Sequence, residues 1–295
     1  MIYAILKKIT GTVCNVTGIK KEDMSKTINK WSLRKASSEA GLRLFTDRLR
    51  MIVPDISNQE ESEKGIFNDY WELKRRTLQA FQCSLMMEAV KTLPPGELIV
   101  VDIGDSAGTH MLYLKELAKD KHKISTISVN LDPRAVEKIK ARGLSAILCR
   151  AEDLDLGEKA VSLFTAFQMI EHLHNPAIFL RKLAKSSPCS RMVITVPYLK
   201  HSRLGLHHLK SGAMKKVYAE DEHIFELNPD DWTSLFLHSG WRVAYSKVYW
   251  QYPVNLPLVS KVLSWYWRAA DFEGFWGAIL EKDTALSDLY QDWEK

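Results

Sequence analysis

Histidine side chains, which exchange protons near neutral pH, are concentrated in the C-terminal half of the sequence. The segment HSRLGLHHLKSGAMKKVYAEDEHIFELNPDDW contains His201, His207, His208 and His223 together with Glu220, Asp221 and Glu222. A further histidine, His172, directly follows Glu171. An imidazole with a pKa of about 6.5 suits removal of a proton from a hydroxyl group, a step worth about 10²- to 10⁴-fold in rate. These histidines are therefore candidates for a general base, and surface or packing histidines are the alternative interpretation of each.

The spacing of these histidines is not typical of a metal site. Zinc-binding helices commonly place two histidines four residues apart, on one face of the helix. His207 and His208 are adjacent, and His172 and His174 are separated by one residue. The sequence therefore predicts no metal.

A turn between two glycines is the second chemical feature. In VVDIGDSAGTHMLYL, residues 100–114, an apolar run ends at Gly104 and a helical pattern begins after Gly108. Glycine allows a sharp turn and close approach of a ligand, and the helix N-terminus is expected to offer unpaired N–H groups to a carboxylate or phosphate. The spacing lacks the third glycine of a dinucleotide loop and the Gly-Lys-Ser/Thr of a Walker loop. A simple tight connection between strand and helix is the alternative.

The elements around this turn alternate between strand and helix. Apolar, β-branched runs predict seven strands at 98–103, 125–130, 145–149, 161–167, 191–196, 241–250 and 275–281. Helices are predicted to start at the pairs Asp132-Pro133, Asn175-Pro176 and Asn228-Pro229, because Asx at the N-cap followed by proline favours a helix start. The pattern predicts a doubly wound, Rossmann-like α/β fold with a mostly parallel seven-stranded sheet.

A helix at residues 67–93, capped by Asn68, precedes this alternation and stops at the LPPG sequence. We therefore expect a mainly helical N-terminal extension or cap at 1–95 and the α/β domain at 96–295. An insertion at 198–227 and a helical segment at 255–272 are expected to cover the substrate. The latter segment has one apolar face, which indicates core packing, with contact to a membrane surface as the alternative.

Five blocks of the sequence, taken in order, resemble the class I S-adenosylmethionine-dependent methyltransferases. The blocks are VVDIGDSAGTHMLYL, ISVNLDPRAVEKI, CRAEDLDL, VSLFTAFQMIEHLHNPAIFLRKLAK and RMVITVPY. The resemblance is greatest to the small-molecule group whose fourth strand runs into Glu-His-Leu. It implies S-adenosylmethionine as cofactor and methylation of an oxygen, less favourably a nitrogen, of a small molecule, glycan precursor or lipid-linked intermediate.

The resemblance also implies roles for individual residues. It places Asp102, Gly104, Ser106 and Gly108 at the methionine half of the cofactor, Asn130 at the ribose, Leu131, Ala151 and Glu152 at the adenine, and Gln168 beneath the sulfonium. In such enzymes a histidine shortly before the helix that follows strand 5 often faces the methyl acceptor. His223 is the best match and our first candidate for the base, with His172 second.

Two positions depart from the family pattern. Asn130 replaces the usual acidic partner of the ribose, and Arg150 replaces an acidic residue near the adenine. An amide lacks charge assistance and a guanidinium cannot accept a hydrogen bond. A catalytically inactive domain that binds a partner is therefore the alternative function. An NAD-dependent oxidoreductase would need a third glycine and an acidic ribose partner, which this sequence lacks.

Charge and composition limit the partners. The net charge of +5 arises within residues 1–95, where 16 Lys and Arg oppose 11 Asp and Glu. No basic stripe with interleaved aromatic residues is present, so nucleic acid is not the expected partner. Four dispersed cysteines favour a reducing compartment. We expect a cytoplasmic protein, with a peripheral membrane contact as the alternative; the oligomeric state is open.

Overall fold

The computed structural model describes residues 21–57, 67–205, 217 and 222–291. Its strands are β1 (Gly96–Ile103), β2 (His122–Asn130), β3 (Ser145–Leu148), β4 (Leu163–Phe167), β5 (Arg191–Pro197), β6 (Arg203–Leu204), β7 (Phe225–Glu226), β8 (Trp241–Trp250) and β9 (Gly274–Lys282). Its helices are α1 (Lys21–Glu39), α2 (Arg43–Ile52), α3 (Asp69–Lys91), α4 (Thr109–Ala118), α5 (Pro133–Ala141), α6 (Pro176–Ser186), α7 (Pro229–His238) and α8 (Pro257–Ala270).

Seven strands form one sheet in the order β3-β2-β1-β4-β5-β9-β8. Strands β1 to β5 are parallel, and β9 runs antiparallel to both of its neighbours, β5 and β8. The predicted mostly parallel, seven-stranded Rossmann-like sheet is thus confirmed. The strand order reverses between β1 and β4, and ligands of open α/β sheets bind outside the carboxyl ends of strands at this point.

The predicted helix caps are also confirmed, because each Asx side chain accepts hydrogen bonds from the first turn of its helix. Asn68 accepts from the N–H groups of residues 70 and 71, at 3.0 and 3.3 Å. Asp132 accepts from that of residue 134 at 2.9 Å. Asn175 and Asn228 cap α6 and α7 in the same way. Local side-chain chemistry therefore fixes where these helices begin.

Helix α3 lies directly against the sheet. Its Phe81 stacks on Tyr249 of β8 with ring centroids 5.6 Å apart. A side chain at Gly277 of β9 would collide with Leu85 of α3, so this approach requires glycine. Helix α3 also shares a buried core with β1 and α4. The boundary expected after residue 95 therefore separates α3 from the sheet face that it covers.

Helix α8, within the segment 255–272, is anchored to α1 by an indole. Trp267 is 1% exposed and donates its Nε1–H to the hydroxyl of Ser32 at 3.1 Å. Ser32 in turn donates to the backbone carbonyl of Gln251 at 2.7 Å. The start of α8 packs less, since Leu258 is 83% exposed. No helix within the described part of the chain is long and apolar enough to span a bilayer.

Candidate active site

The turn after β1 has the backbone conformation that its two glycines predict. Gly104 and Gly108 have φ angles of +89° and +74°, which side-chain-bearing residues rarely adopt. A Cβ at Gly104 would lie 2.6 Å from the Cγ of Met169, and one at Gly108 would lie 2.5 Å from the Cδ1 of Leu144. The chain's own side chains therefore account for both glycines.

Asp105, between these glycines, accepts hydrogen bonds from the backbone of its own turn. Its Oδ1 accepts from the backbone N–H of Ala107 at 3.1 Å and of Gly108 at 2.7 Å. Its Oδ2 accepts from the hydroxyl of Ser128 at 2.6 Å. These two N–H groups belong to the turn that precedes α4, so the prediction that the helix start itself offers N–H groups to a ligand stays a prediction. An Asp whose side chain accepts from the N–H groups two and three residues on is an Asx turn, a local signal that could have predicted these bonds.

Asp102 places a second buried carboxylate beside the first. Its Oδ1 accepts from the hydroxyl of Thr165 at 2.7 Å, while its buried Oδ2 has no hydrogen-bond partner among the described residues. Burial, followed by the charge of Asp105, raises the pKa of Asp102 well above its ordinary value. An orphaned carboxylate oxygen in this position fits a cationic group such as an ammonium and disfavours a phosphate.

The other residues assigned to the cofactor lie around the carboxyl ends of β1 to β4. Asn130 ends β2 and donates to the carbonyl of Asp105 at 2.9 Å, while its Oδ1 accepts from the N–H of Asp132 at 2.8 Å. The observed contacts of this amide therefore hold the turn in place. Leu131 is 55% exposed, so its side chain is accessible to the adenine ring that the resemblance assigns to it. Ser106 is exposed, and Ala151 and Glu152 form a short 3₁₀ turn after β3.

Gln168, at the end of β4, has a strained backbone. Its φ of +52° is left-handed, which costs a non-glycine residue on the order of 1 kcal/mol or more and is common at functional sites. Its N–H donates to the carbonyl of Thr195 at 2.8 Å, and its side-chain amide donates to the hydroxyl of Thr195 at 3.2 Å. These two bonds to β5 hold Gln168 in this conformation.

Helix α3 supports this end of the sheet through Gln82, which sequence reasoning missed. The Gln82 amide donates to the Thr195 hydroxyl at 3.0 Å, and its carbonyl pairs with Nε2 of His110 at 2.8 Å. Burial lowers the pKa of His110 to about 4, so this ring is neutral at pH 7. The same helix also buries Arg76, Thr77 and Gln79, so no signal in the sequence singled out Gln82.

The two candidate bases meet immediately after β4. The rings of His172 and His223 are 4.6 Å apart, edge to face, and His223 stacks on Phe272 at 5.4 Å. Glu171 lies beside them and is 1% exposed, and neither of its oxygens has a hydrogen-bond partner in another described residue. Burial raises the pKa of Glu171 to about 7, against the opposing effect of His223. Sequence spacing gave no indication that these three side chains converge.

Backbone contacts fix the two segments relative to each other. The N–H of Ile224 donates to the carbonyl of Glu171 at 2.8 Å, and Nδ1 of His172 lies 3.0 Å from the carbonyl of Glu222. Nδ1 of His223 is 3.6 Å from Glu226 Oε1. Burial alone would lower the pKa of His223, but Glu226 and the neighbouring charge of Glu171 raise it above its ordinary value.

Of the remaining histidines named from the sequence, the structure describes two. His201 and His174 are exposed. His207 and His208 lie outside the described residues, as do Glu220 and Asp221. A narrow cleft beside the cluster is lined by Glu171, His223, Glu226, Val196, Pro197 and Trp232, among others.

Comparison with known proteins agrees with this architecture. A family model described as "Methyltransferase domain" matches residues 101–186, from β1 to the end of α6. No curated protein sequence matches the chain significantly.

Several solved structures are similar in fold. A putative sarcosine dimethylglycine methyltransferase from Galdieria sulphuraria has a TM-score of 0.53 at 11% identity, over 81% of this chain and 98% of that one. An O-methyltransferase from a trans-AT PKS multienzyme of Brevibacillus brevis, in complex with S-adenosyl-L-homocysteine, has a TM-score of 0.50 at 11% identity, over 73% and 75%. The 4+2 cyclase SpnF has a TM-score of 0.50 at 12% identity, over 81% and 93%.

At such identities the likeness to solved structures establishes the fold alone. The family match supplies the second line of evidence, since it spans the glycine turn, the second strand and the Glu-His-Leu segment. Residues 101–186 therefore match the methyltransferase domain family, and the chain has the fold of the class I S-adenosylmethionine-dependent methyltransferases.

Proposed function

We propose that this protein transfers a methyl group from S-adenosylmethionine to an oxygen of a small molecule, a glycan precursor or a lipid-linked intermediate, with nitrogen as the alternative acceptor atom. The observation that carries the proposal is the pair of buried carboxylates, Asp102 and Asp105, at the strand-order reversal. S-adenosylmethionine brings an ammonium and a sulfonium to such a site, whereas a dinucleotide brings a pyrophosphate. A buried carboxyl oxygen without a partner favours the former, because an ammonium can donate to it and stabilise its charged form, whereas a pyrophosphate oxygen cannot.

The residues that would hold the cofactor follow from this charge distribution. The orphaned Oδ2 of Asp102 would accept from the ammonium, and Leu131 would lie against the adenine. Asn130 has one amide hydrogen and one carbonyl lone pair beyond its observed bonds, which would serve the ribose hydroxyls. When bound, the cofactor supplies an electrophilic methyl group on a sulfonium.

The chain's own residues would then orient the acceptor and remove its proton. Gln168 and Met169, held at the end of β4, would line the space between donor and acceptor. His223, with His172 beside it, would face the acceptor's hydroxyl and promote loss of its proton. Methyl transfer is an in-line displacement, so positioning by these residues would contribute up to about 7–11 kcal/mol.

A titration with S-adenosylhomocysteine tests the proposed cofactor. We expect calorimetry to show micromolar binding and no binding of NAD, because a pyrophosphate oxygen cannot donate to Asp102. Absence of both heat and thermal stabilisation at millimolar S-adenosylhomocysteine would contradict the proposal.

That negative outcome would favour the alternative of an inactive binding module. The fold does not distinguish a methyltransferase from an inactive binding module, since a cyclase also has this fold. A positive outcome leaves the acceptor to be found by transfer of labelled methyl groups to a panel of alcohols, phenols and amines. In that assay His223→Ala should reduce turnover far more than it reduces S-adenosylhomocysteine binding.

A further inference from the structure

We infer that Glu171, His172 and His223 form a binding site for a divalent transition-metal cation, with Zn²⁺ as the best match. Each of the three side chains offers one donor atom, and these atoms all lie within 4.8 Å of one another. Ligand atoms of tetrahedral zinc are about 3.4 Å apart, given bond lengths of about 2.0–2.2 Å. Small side-chain rotations would close that difference.

The buried carboxylate of Glu171 is the first argument for a cation. It is 1% exposed, and both of its oxygens are buried without a partner in another described residue. Burying a carboxylate without compensation is costly, so such groups pair, coordinate a metal or take up a proton. Burial raises the pKa of Glu171 to about 7, against the opposing effect of His223. A cation at this position would satisfy the carboxylate directly.

The orientation of the two imidazoles is the second argument. Metal-binding histidines almost always donate their other ring N–H to a carbonyl or carboxylate, which fixes the tautomer. Nδ1 of His172 lies 3.0 Å from the carbonyl of Glu222, which can only accept, so this nitrogen is the donor and Nε2 carries the lone pair. Nδ1 of His223 lies 3.6 Å from Glu226 Oε1, close enough for an ion pair when the imidazole is protonated.

The partner of His223 is itself held in place. Glu226 Oε1 faces His223, while Oε2 pairs with Arg203. The two segments that supply the donors are joined by the bond from Ile224 to the carbonyl of Glu171. A side chain at Gly205 would collide with the carbonyl of His223, so β6 closes tightly on this segment. The donors are thus positioned by their surroundings.

The donor set selects the kind of cation. Two imidazole nitrogens and one carboxylate suit zinc and its neighbours, whereas Mg²⁺ prefers several oxygen ligands. Three protein ligands leave one tetrahedral position open, as in catalytic zinc sites. The consequence for catalysis rests on the function proposed above. An acceptor hydroxyl in the open position would lose its proton to bulk water more readily, and His223 would then act as a ligand instead of a base.

Metal binding is testable without any methylation assay. We expect the full-length protein, freed of metal with a chelator, to bind one Zn²⁺ by calorimetry and to melt at a higher temperature when Zn²⁺ is present. Co²⁺ should give the intense visible absorption of a four- or five-coordinate site. Mg²⁺ should produce none of these effects.

Variants locate the site. Glu171→Gln and His223→Ala should each abolish the Co²⁺ spectrum, and Glu226→Gln should weaken Zn²⁺ binding by about 10- to 100-fold. The matched control is His174→Ala, an exposed histidine two residues from His172, which should leave binding unchanged. Circular dichroism of each variant checks that it is folded.

Two results would overturn the inference. One is a folded parent protein that binds neither Zn²⁺ nor Co²⁺ tightly; the other is binding that survives both Glu171→Gln and His223→Ala. Neither result affects the cofactor titration, so failure of the metal site is distinguishable from failure of the proposed methyltransferase.

Discussion

At the scale of single residues, the proposed cofactor site depends on the carboxylate of Asp102. Asp102→Asn keeps the shape of the side chain and its bond with Thr165. It removes the carboxylate charge that would attract the ammonium of the ligand. A hydrogen bond to a charged group contributes about 1.5–3 kcal/mol, so S-adenosylhomocysteine binding should weaken by about 10- to 100-fold. Calorimetry on the variant measures this. Asp120→Asn, an exposed carboxylate distant from the turn, is the control; equal affinity of both variants would exclude the assigned role.

Glu171 makes stability depend on pH. Its pKa is about 7 in the folded chain and 4.5 when unperturbed, so between these values the folded state holds a proton that the unfolded state releases. Stability therefore falls as the pH rises from 4.5 to 7, by about 3 kcal/mol in all. Glu171→Gln lacks this loss. Urea unfolding in metal-free buffer measures the free energy of unfolding of the variant and of the parent protein. The difference in favour of the variant should be small at pH 5 and should reach its maximum by pH 8. A constant difference would contradict the assignment.

At the scale of elements, α8 tests how the segment 255–272 is used. Trp267 is fully buried and bonded to Ser32 of α1, so Trp267→Ala should lower the free energy of unfolding by about 3–5 kcal/mol. Leu258→Ala on the same helix removes a side chain that is 83% exposed and should change it by less than about 0.5 kcal/mol. Chemical denaturation compares the two. Equal effects would mean that the tryptophan does not anchor the helix.

At the scale of the whole molecule, the question is which N-terminal truncation still folds. The boundary expected from the sequence predicts that a chain from residue 96 folds by itself, whereas the packing of α3 predicts that it does not. A chain that begins at residue 96 would expose the sheet face that Phe81 and Leu85 cover, and we expect it to lose cooperative unfolding. A chain that begins at residue 67 keeps α3 and should unfold cooperatively, at a lower midpoint because α1 and α2 are gone. Near-ultraviolet circular dichroism and urea unfolding distinguish them; a cooperative chain from residue 96 would show that α3 is dispensable.

The fold was predictable because its signals are local. Asn68, Asp132 and Asn228 cap helices through atoms two or three residues away, and apolar runs such as 98–103 indicate buried strands by themselves. Glycines 104 and 108 likewise have the positive φ angles that a sharp turn needs. Such features depend on neighbouring residues, so the linear sequence contains them in full.

The site was less predictable because its contacts join distant segments. The sequence by itself determined the α/β architecture, the glycine turn and the identity of the chemically capable residues. Only the tertiary structure decided that Asp105 pairs with Ser128 of β2, that α3 supports Gln168 through Gln82 and Thr195, and that His223 lies against Glu171 and His172. Glu171 follows β4 and His223 precedes β7, so they belong to different segments of the chain, and no spacing rule within one segment encodes the distance between them.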